Sequence, residues 1–194
     1  MDEISVKIDS AIQTLLTDFK RIPNKYLTED DVRMHLCSIL MNDFGNEEKT
    51  KDGDLSIPLH SEIRWWGQDE LNERTDIVIL DVTDLSVTKD VIDDLYSFGR
   101  IPRKGYASST PLAAIELKFR RVDGVGNSDF IKQVEADINK LVGLKAMLKD
   151  DYSKDLVCRV VALDKKEQIS EMEIQVPSEL LHYKFSNKKG QDQT

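Results

Sequence analysis

The stretch "PLAAIELKFRR", residues 111–121, decides the fold. Leu112, Ala113, Ala114, Ile115, Leu117 and Phe119 make it almost continuously apolar, and a proline opens it. Such a run predicts a strand buried on both faces, the central position of a sheet. Glu116 and Lys118 interrupt it. Buried charges are costly unless they are paired or bound to a metal, so their place in a central strand needs a physical reason. Side chains alternate along a strand. Glu116 and Lys118 therefore share a face with Leu112 and Ala114, while Ala113, Ile115, Leu117 and Phe119 form the other.

Upstream, "RTDIVILDV", residues 74–82, is rich in β-branched residues and predicts a second strand. Asp76 falls on one face of it with Val78 and Leu80. If the two strands are neighbours, Asp76, Glu116 and Lys118 converge. Two carboxylates and an ammonium suit phosphodiester chemistry. The carboxylates can hold Mg²⁺, which keeps most of its waters. The ion polarises a phosphate and lowers the pKa of a bound water. A lysine there orients the water or stabilises developing charge. The alternative is a buried salt bridge of Glu116 with Lys118 or Asp76, a poor source of stability.

The flanking segments predict an α/β protein. "ISVKIDSAIQTLLTDFK" (4–20) has Ile4, Ile8, Ile12, Leu15, Leu16 and Phe19 at helical spacing. "YLTEDDVRMHLCSILMNDF" (26–44) predicts a second helix with Thr28 as N-cap and acids at the positive end of the dipole. "LSIPLHSEIRWW" (55–66) reads as a strand. Asn127 or Ser128 can cap a helix running from Asp129, with the stripe Phe130, Val134, Ile138, Leu141 and Leu148. "DLVCRVVALD" (155–164) is another buried strand, and "EMEIQVP" (171–177) a short edge strand. Residues 84–110 read as an insertion between strands, with a helical turn at "KDVIDDLYSF". The expected organisation is one domain over 1–185 and a flexible tail over 186–194.

Asp76 in "RTDIVIL", "IELK" at 115–118 as a Glu-x-Lys element, and a following helix carrying Gln133 together resemble the PD-(D/E)xK nuclease superfamily. The likeness spans roughly residues 26–163. It implies a restriction-endonuclease-like sandwich, a central mixed β-sheet flanked by helices. It also implies a Mg²⁺-dependent nuclease, with Mn²⁺ as substitute, acting on DNA. Asp76 and Glu116 would be the principal metal ligands, with the backbone carbonyl of Leu117 between them, and Lys118 the catalytic lysine. Gln133 would hydrogen-bond near the site, the alternative being an ordinary half-exposed glutamine. Thr75 stands where the superfamily name has proline, a position that varies among its members. The superfamily adds a glutamate from the helix before the sheet. At about 100° per residue, Val32, Leu36 and Leu40 lie within about 60° of Glu29, and Asp31 lies opposite. Glu29 is therefore carried over as a further ligand, direct or through water.

The remaining residues bound this reading. The chain has 194 residues, 40% of them hydrophobic, enough for one domain with a real core. A formal net charge of −9 opposes bulk attraction to nucleic acid or anionic membrane but not a local basic patch. It leaves open a non-catalytic interaction module on the same fold. Cys37 and Cys158 sit in apolar contexts and are expected as buried free thiols. No apolar run reaches membrane-spanning length and no signal-peptide core opens the chain, so the expected location is cytoplasmic, with no membrane partner. Glu62 is expected on the surface, the alternative being a place in the site. Of Trp65 and Trp66, one is expected in the core; the other stays open to a base or a homodimer contact. Arg100, Arg103, Lys104, Arg120 and Arg121 are candidate phosphate contacts. Asp90, Asp93 and Asp94 read as a solvated face, and His35, His60 and His182 have no assigned role.

Overall fold

The computed structural model describes residues 3–65, 73–85, 111–148, 156–166 and 183–187. Helices α1 (Glu3–Arg21) and α2 (Glu29–Phe44) open the chain. A small ribbon of β1 (Glu48–Lys49) and β2 (Leu55–Ser56) follows. The main sheet contains β3 (Leu59–Trp65), β4 (Glu73–Leu80), β5 (Pro111–Arg120), β6 (Val157–Asp164) and β7 (Tyr183–Asn187), in that spatial order. Helix α3 (Asn127–Leu148) connects β5 to β6. The β3–β4–β5 pairings are antiparallel and the β5–β6–β7 pairings parallel. The architecture is thus α/β, a mixed sheet flanked by helices.

Strand β5 is the central strand, and its pattern follows from burial on both sides. Ala113, Ile115 and Leu117 join Ile77, Ile79, Val161 and Leu163 in a core against α1 and α2. Ala114 joins Val78, Leu80, Val160 and Ala162 in a second core beneath α3, which contributes Phe130, Val134, Ile138, Leu141 and Leu144. All eight residues of β6 are buried. That matches the rule that a strand between two helical layers reads as nearly continuous apolar sequence.

Several details depart from the sequence expectations. The segment 55–66 is not one strand: Leu55–Ser56 belongs to the small ribbon, and Pro58 precedes β3, consistent with its lack of a donor for a ladder. A 3-10 turn at Val82–Asp84 leads to Leu85, and Val82 and Leu85 are both buried. Strand β7 was not expected, and it takes in Ser186 and Asn187 of the segment read as tail. Gly126, rather than Asn127 or Ser128, precedes the first residue of α3, and its carbonyl accepts from the N–H of Phe130. Both cysteines are free, Cys158 buried and Cys37 half-buried. The helical turn at 89–98, the strand at 171–177, Asp90, Asp93, Asp94, Arg100, Arg103, Lys104, Trp66 and His182 lie outside the described residues, as does the Trp65 side chain.

Two buried charged clusters pin the layers together. Arg120 at the end of β5 grips Asp164 at the end of β6 through two hydrogen bonds of 2.7 and 2.5 Å. It also donates to Asn127 at the start of α3 and lies over the Phe130 ring. Arg120 is 1% exposed, so it is a structural clamp and not the phosphate contact its position beside Arg121 suggested. Arg159 on β6 makes the equivalent link to α1, donating to Asp9 and Ser5. Among the described residues no helix is long and apolar enough to cross a membrane.

Candidate active site

Strands β4 and β5 are paired in register up to Ile77 and Ile115. One residue further along each strand stand Asp76 and Glu116. Beyond that point β5 continues beside β6 as far as Arg120, but its other edge has lost its backbone partner. Side-chain carboxylates take over. Asp76 Oδ2 accepts from the Leu117 N–H at 2.8 Å, and Glu29 Oε2 accepts from the Phe119 N–H at 3.1 Å. An N–H and C=O of one strand residue face the same edge, so the Leu117 carbonyl faces the same gap. The sequence-predicted residues Asp76, Glu116, Leu117, Lys118 and Glu29 therefore meet where the two strands part.

Both helical layers contribute at this gap. Helix α2 supplies Glu29 and Arg33. Its first turn is set by a capping box, in which Thr28 accepts from the Asp31 N–H while Asp31 accepts from the Thr28 N–H. This fixes the helix phase that turns Glu29 inward. Asp31 is thus a capping residue, with its carboxyl held below the usual range by the backbone N–H groups of Leu27 and Thr28. Helix α3 supplies Asp137 and Lys140 from the flank of its apolar stripe. Gln133, one turn earlier, is exposed, and the helix meets the site instead through Lys140, which contacts Glu116, and Asp137, which contacts Lys118.

Each acid has a cationic neighbour. Arg33 lies 3.2 Å from Asp76 Oδ1 and 2.6 Å from Glu62 Oε1. Lys118 Nζ lies 3.2 Å from Asp137 and 3.6 Å from Glu29. Lys140 Nζ lies 2.8 Å from Glu116 Oε2 and donates to the Arg74 carbonyl at 2.7 Å. Glu62, expected on the surface, is half-buried between Arg33 and Arg74. Its φ of 62° is a left-handed conformation, costing on the order of 1–3 kcal/mol for a non-glycine residue. Glu62 lies between the paired residues Ser61↔Ile77 and Ile63↔Thr75, at the point of β3 that faces Asp76 on β4. Arg33, Arg74 and Lys140 escaped sequence reasoning. In sequence, Lys140 is an ordinary i+3 partner for Asp137, and Arg33 an ordinary i+3 partner for Asp30.

Electrostatics single out Glu116. It is 2% exposed, and its Oε1 has no hydrogen-bond partner among the described residues. Burial, followed by the nearby Asp76, pushes its carboxyl up to about 9, against the opposing pull of Lys140. The lysine contact does not offset the desolvation, so the carboxyl stays above the usual carboxylate range. Burial also raises Glu29 and Asp137, with Lys118 opposing in both cases. For Lys118 itself, burial acts downward, but Asp137 and Glu29 outweigh it and the ammonium is held above its usual value.

Among the described residues, no three acids, histidines or cysteines form a ready-made metal cage. Mg²⁺ does not need one, since it is bound through one or two carboxylates with waters and substrate oxygens. Asp76 and Glu116 offer such a pair, and the unsatisfied Oε1 of Glu116 is a free donor atom for it. The residues present therefore fit a divalent ion held by two carboxylates. Comparison with known proteins gives no match to a family model, to a curated protein or to a solved structure.

Proposed function

We propose that the protein is a Mg²⁺-dependent nuclease of restriction-endonuclease-like fold, hydrolysing phosphodiester bonds in DNA. The observation that carries this reading is the juxtaposition of Asp76 and Glu116 where β4 and β5 part, with Glu116 buried and one of its oxygens unsatisfied. Asp76 and Glu116 would hold the ion, or Mn²⁺ in its place, with the Leu117 carbonyl and Glu29 directly or through water. The bound ion would polarise the phosphate and acidify a water. Asp76 is kept in position by the Leu117 N–H and by Arg33. Lys118 stays protonated between Asp137 and Glu29, where its ammonium can stabilise charge developing on the phosphate or orient the attacking water.

A second reading has its own observation. The pairing of Asp76 with Arg33 and of Glu116 with Lys140 also suits a non-catalytic interaction module whose charges form a structural network. Divalent-ion binding separates the two. A nuclease site gains thermal stability from Mg²⁺ or Mn²⁺ by mass action, whereas a closed salt-bridge network gains none. Plasmid, linear and single-stranded DNA incubated with and without Mn²⁺ tests the activity itself.

A further inference from the structure

Lys140 reaches Glu116 from a different layer of the fold. Its backbone belongs to α3, and its ammonium spans the gap to β5 and β4. Three contacts hold it there: Glu116 Oε2 at 2.8 Å, the Arg74 carbonyl at 2.7 Å and Asp137 Oδ1 at 3.9 Å. None of these is needed to bury the helix, which is anchored by Phe130, Val134, Ile138 and Leu141 one position or more away on its stripe. The lysine is half-buried, so its charge is poorly solvated. It stands against one oxygen of the acid whose other oxygen is unsatisfied.

We propose that Lys140 is a tethered cation that occupies Glu116 Oε2 in the metal-free protein and competes with the divalent ion for it. This rests on the metal-site reading above and adds a regulatory element to it. An ammonium and a divalent cation cannot share one carboxylate in a poorly solvated site without strong repulsion. Binding of the ion therefore requires Lys140 to give up Glu116. The lysine has other acceptors within its reach, the Arg74 carbonyl and Asp137, so it can withdraw without becoming unpaired. The cost of that withdrawal is charged to metal affinity. The site is consequently tuned to bind the ion weakly until a further ligand, such as the phosphate of a substrate, adds negative charge.

The test is thermal melting of wild type, Lys140→Met and Lys140→Arg against Mg²⁺ concentration, all three at one pH. Lys140→Met should bind Mg²⁺ at least tenfold more tightly than wild type, whatever happens to its metal-free melting temperature. Lys140→Arg keeps the charge and should not gain affinity. A purely structural lysine would lower the metal-free melt but would not strengthen Mg²⁺ binding. Equal or weaker Mg²⁺ affinity in Lys140→Met, with wild type binding the ion, overturns the competition and leaves the metal site standing. Absence of Mg²⁺ stabilisation in all three proteins overturns both. Should Lys140→Met fail to fold, Lys140→Gln, which keeps a donor for the Arg74 carbonyl, takes its place under the same criteria.

Discussion

Asp76 and Leu117 are joined by a hydrogen bond that spans 41 residues of sequence and replaces a rung of the β-ladder. The carboxylate Oδ2 of Asp76, one residue past Ile77, accepts the N–H of Leu117, two residues past Ile115, at 2.8 Å. A side chain thus completes the backbone hydrogen bonding of the central strand, and in doing so fixes its own position beside Glu116. Asp76→Asn retains an acceptor for that N–H but removes the charge. It is expected to keep a cooperative melt and lose Mn²⁺ binding. Asp76→Ala leaves the Leu117 N–H without its acceptor and removes one of the acids around Arg33, and should cost about 1–3 kcal/mol in addition. Denaturant unfolding of both variants, with calorimetric Mn²⁺ titration, checks this.

Glu116 governs how the metal-free protein responds to pH. Its carboxyl is raised from 4.5 to about 9 in the folded state. The folded protein therefore holds a proton that the unfolded chain releases. The resulting stabilisation is fully present below about pH 4.5 and is lost as pH rises through about 9. Glu116→Gln mimics the protonated form and should flatten that slope, so that its melting temperature exceeds the wild-type value at alkaline pH. Melting curves from pH 5 to 9 in a chelator provide the measurement.

Lys118 is expected to act on rate more than on binding. Lys118→Ala should retain Mn²⁺ affinity and slow cleavage by ~10²-fold or more, as for loss of a positioned electrostatic group. Equal losses of binding and rate would instead mean that the ammonium merely holds Glu29 and Asp137 in place.

On α2, two acids two residues apart should behave differently. Glu29→Gln should weaken Mn²⁺ affinity, because Glu29 faces the gap and its pKa is raised by burial and by Asp76. Asp31→Ala removes the carboxylate that accepts from the Leu27 and Thr28 N–H groups and leaves only the Thr28 half of the capping box. It should lower the melting temperature by a helix-capping loss and leave Mn²⁺ affinity unchanged.

Arg120 and Asp164 form a fully buried pair. Arg120→Met strands the Asp164 carboxylate in the core and is expected to cost about 3–5 kcal/mol. The double variant Arg120→Met, Asp164→Leu should recover much of that loss. Urea unfolding of the two proteins makes the comparison.

Much of this arrangement was legible in the sequence. The layers of the fold follow from apolar periodicity: the two-sided burial of 112–119, the strand at 74–80 and the helical stripes of 4–20 and 130–141. Once β4 and β5 are neighbours, strand alternation brings Asp76 and Glu116 to one face, and helix phase turns Glu29 toward them. What was not legible depends on contacts with no sequence period. The pairing of Lys140 with Glu116 and of Arg33 with Asp76 is set by how two helical layers meet across a gap in the sheet. Glu62 took its inward position through a left-handed backbone that a glutamate's identity does not announce. Arg120 looked like a surface cation because its acid, Asp164, lies 44 residues away. Strand β7 was masked by the polar residues that follow it.

Cleavage of supercoiled plasmid by the wild-type protein and by Glu116→Gln, each with Mn²⁺ and with a chelator, bears most directly on the assignment. Wild type with Mn²⁺ should convert the plasmid to nicked or linear product, and the other three reactions should leave it intact. The Gln variant should still melt cooperatively. No cleavage by a folded, Mn²⁺-saturated wild type, or undiminished cleavage by Glu116→Gln, would contradict a metal-dependent nuclease site at Asp76 and Glu116.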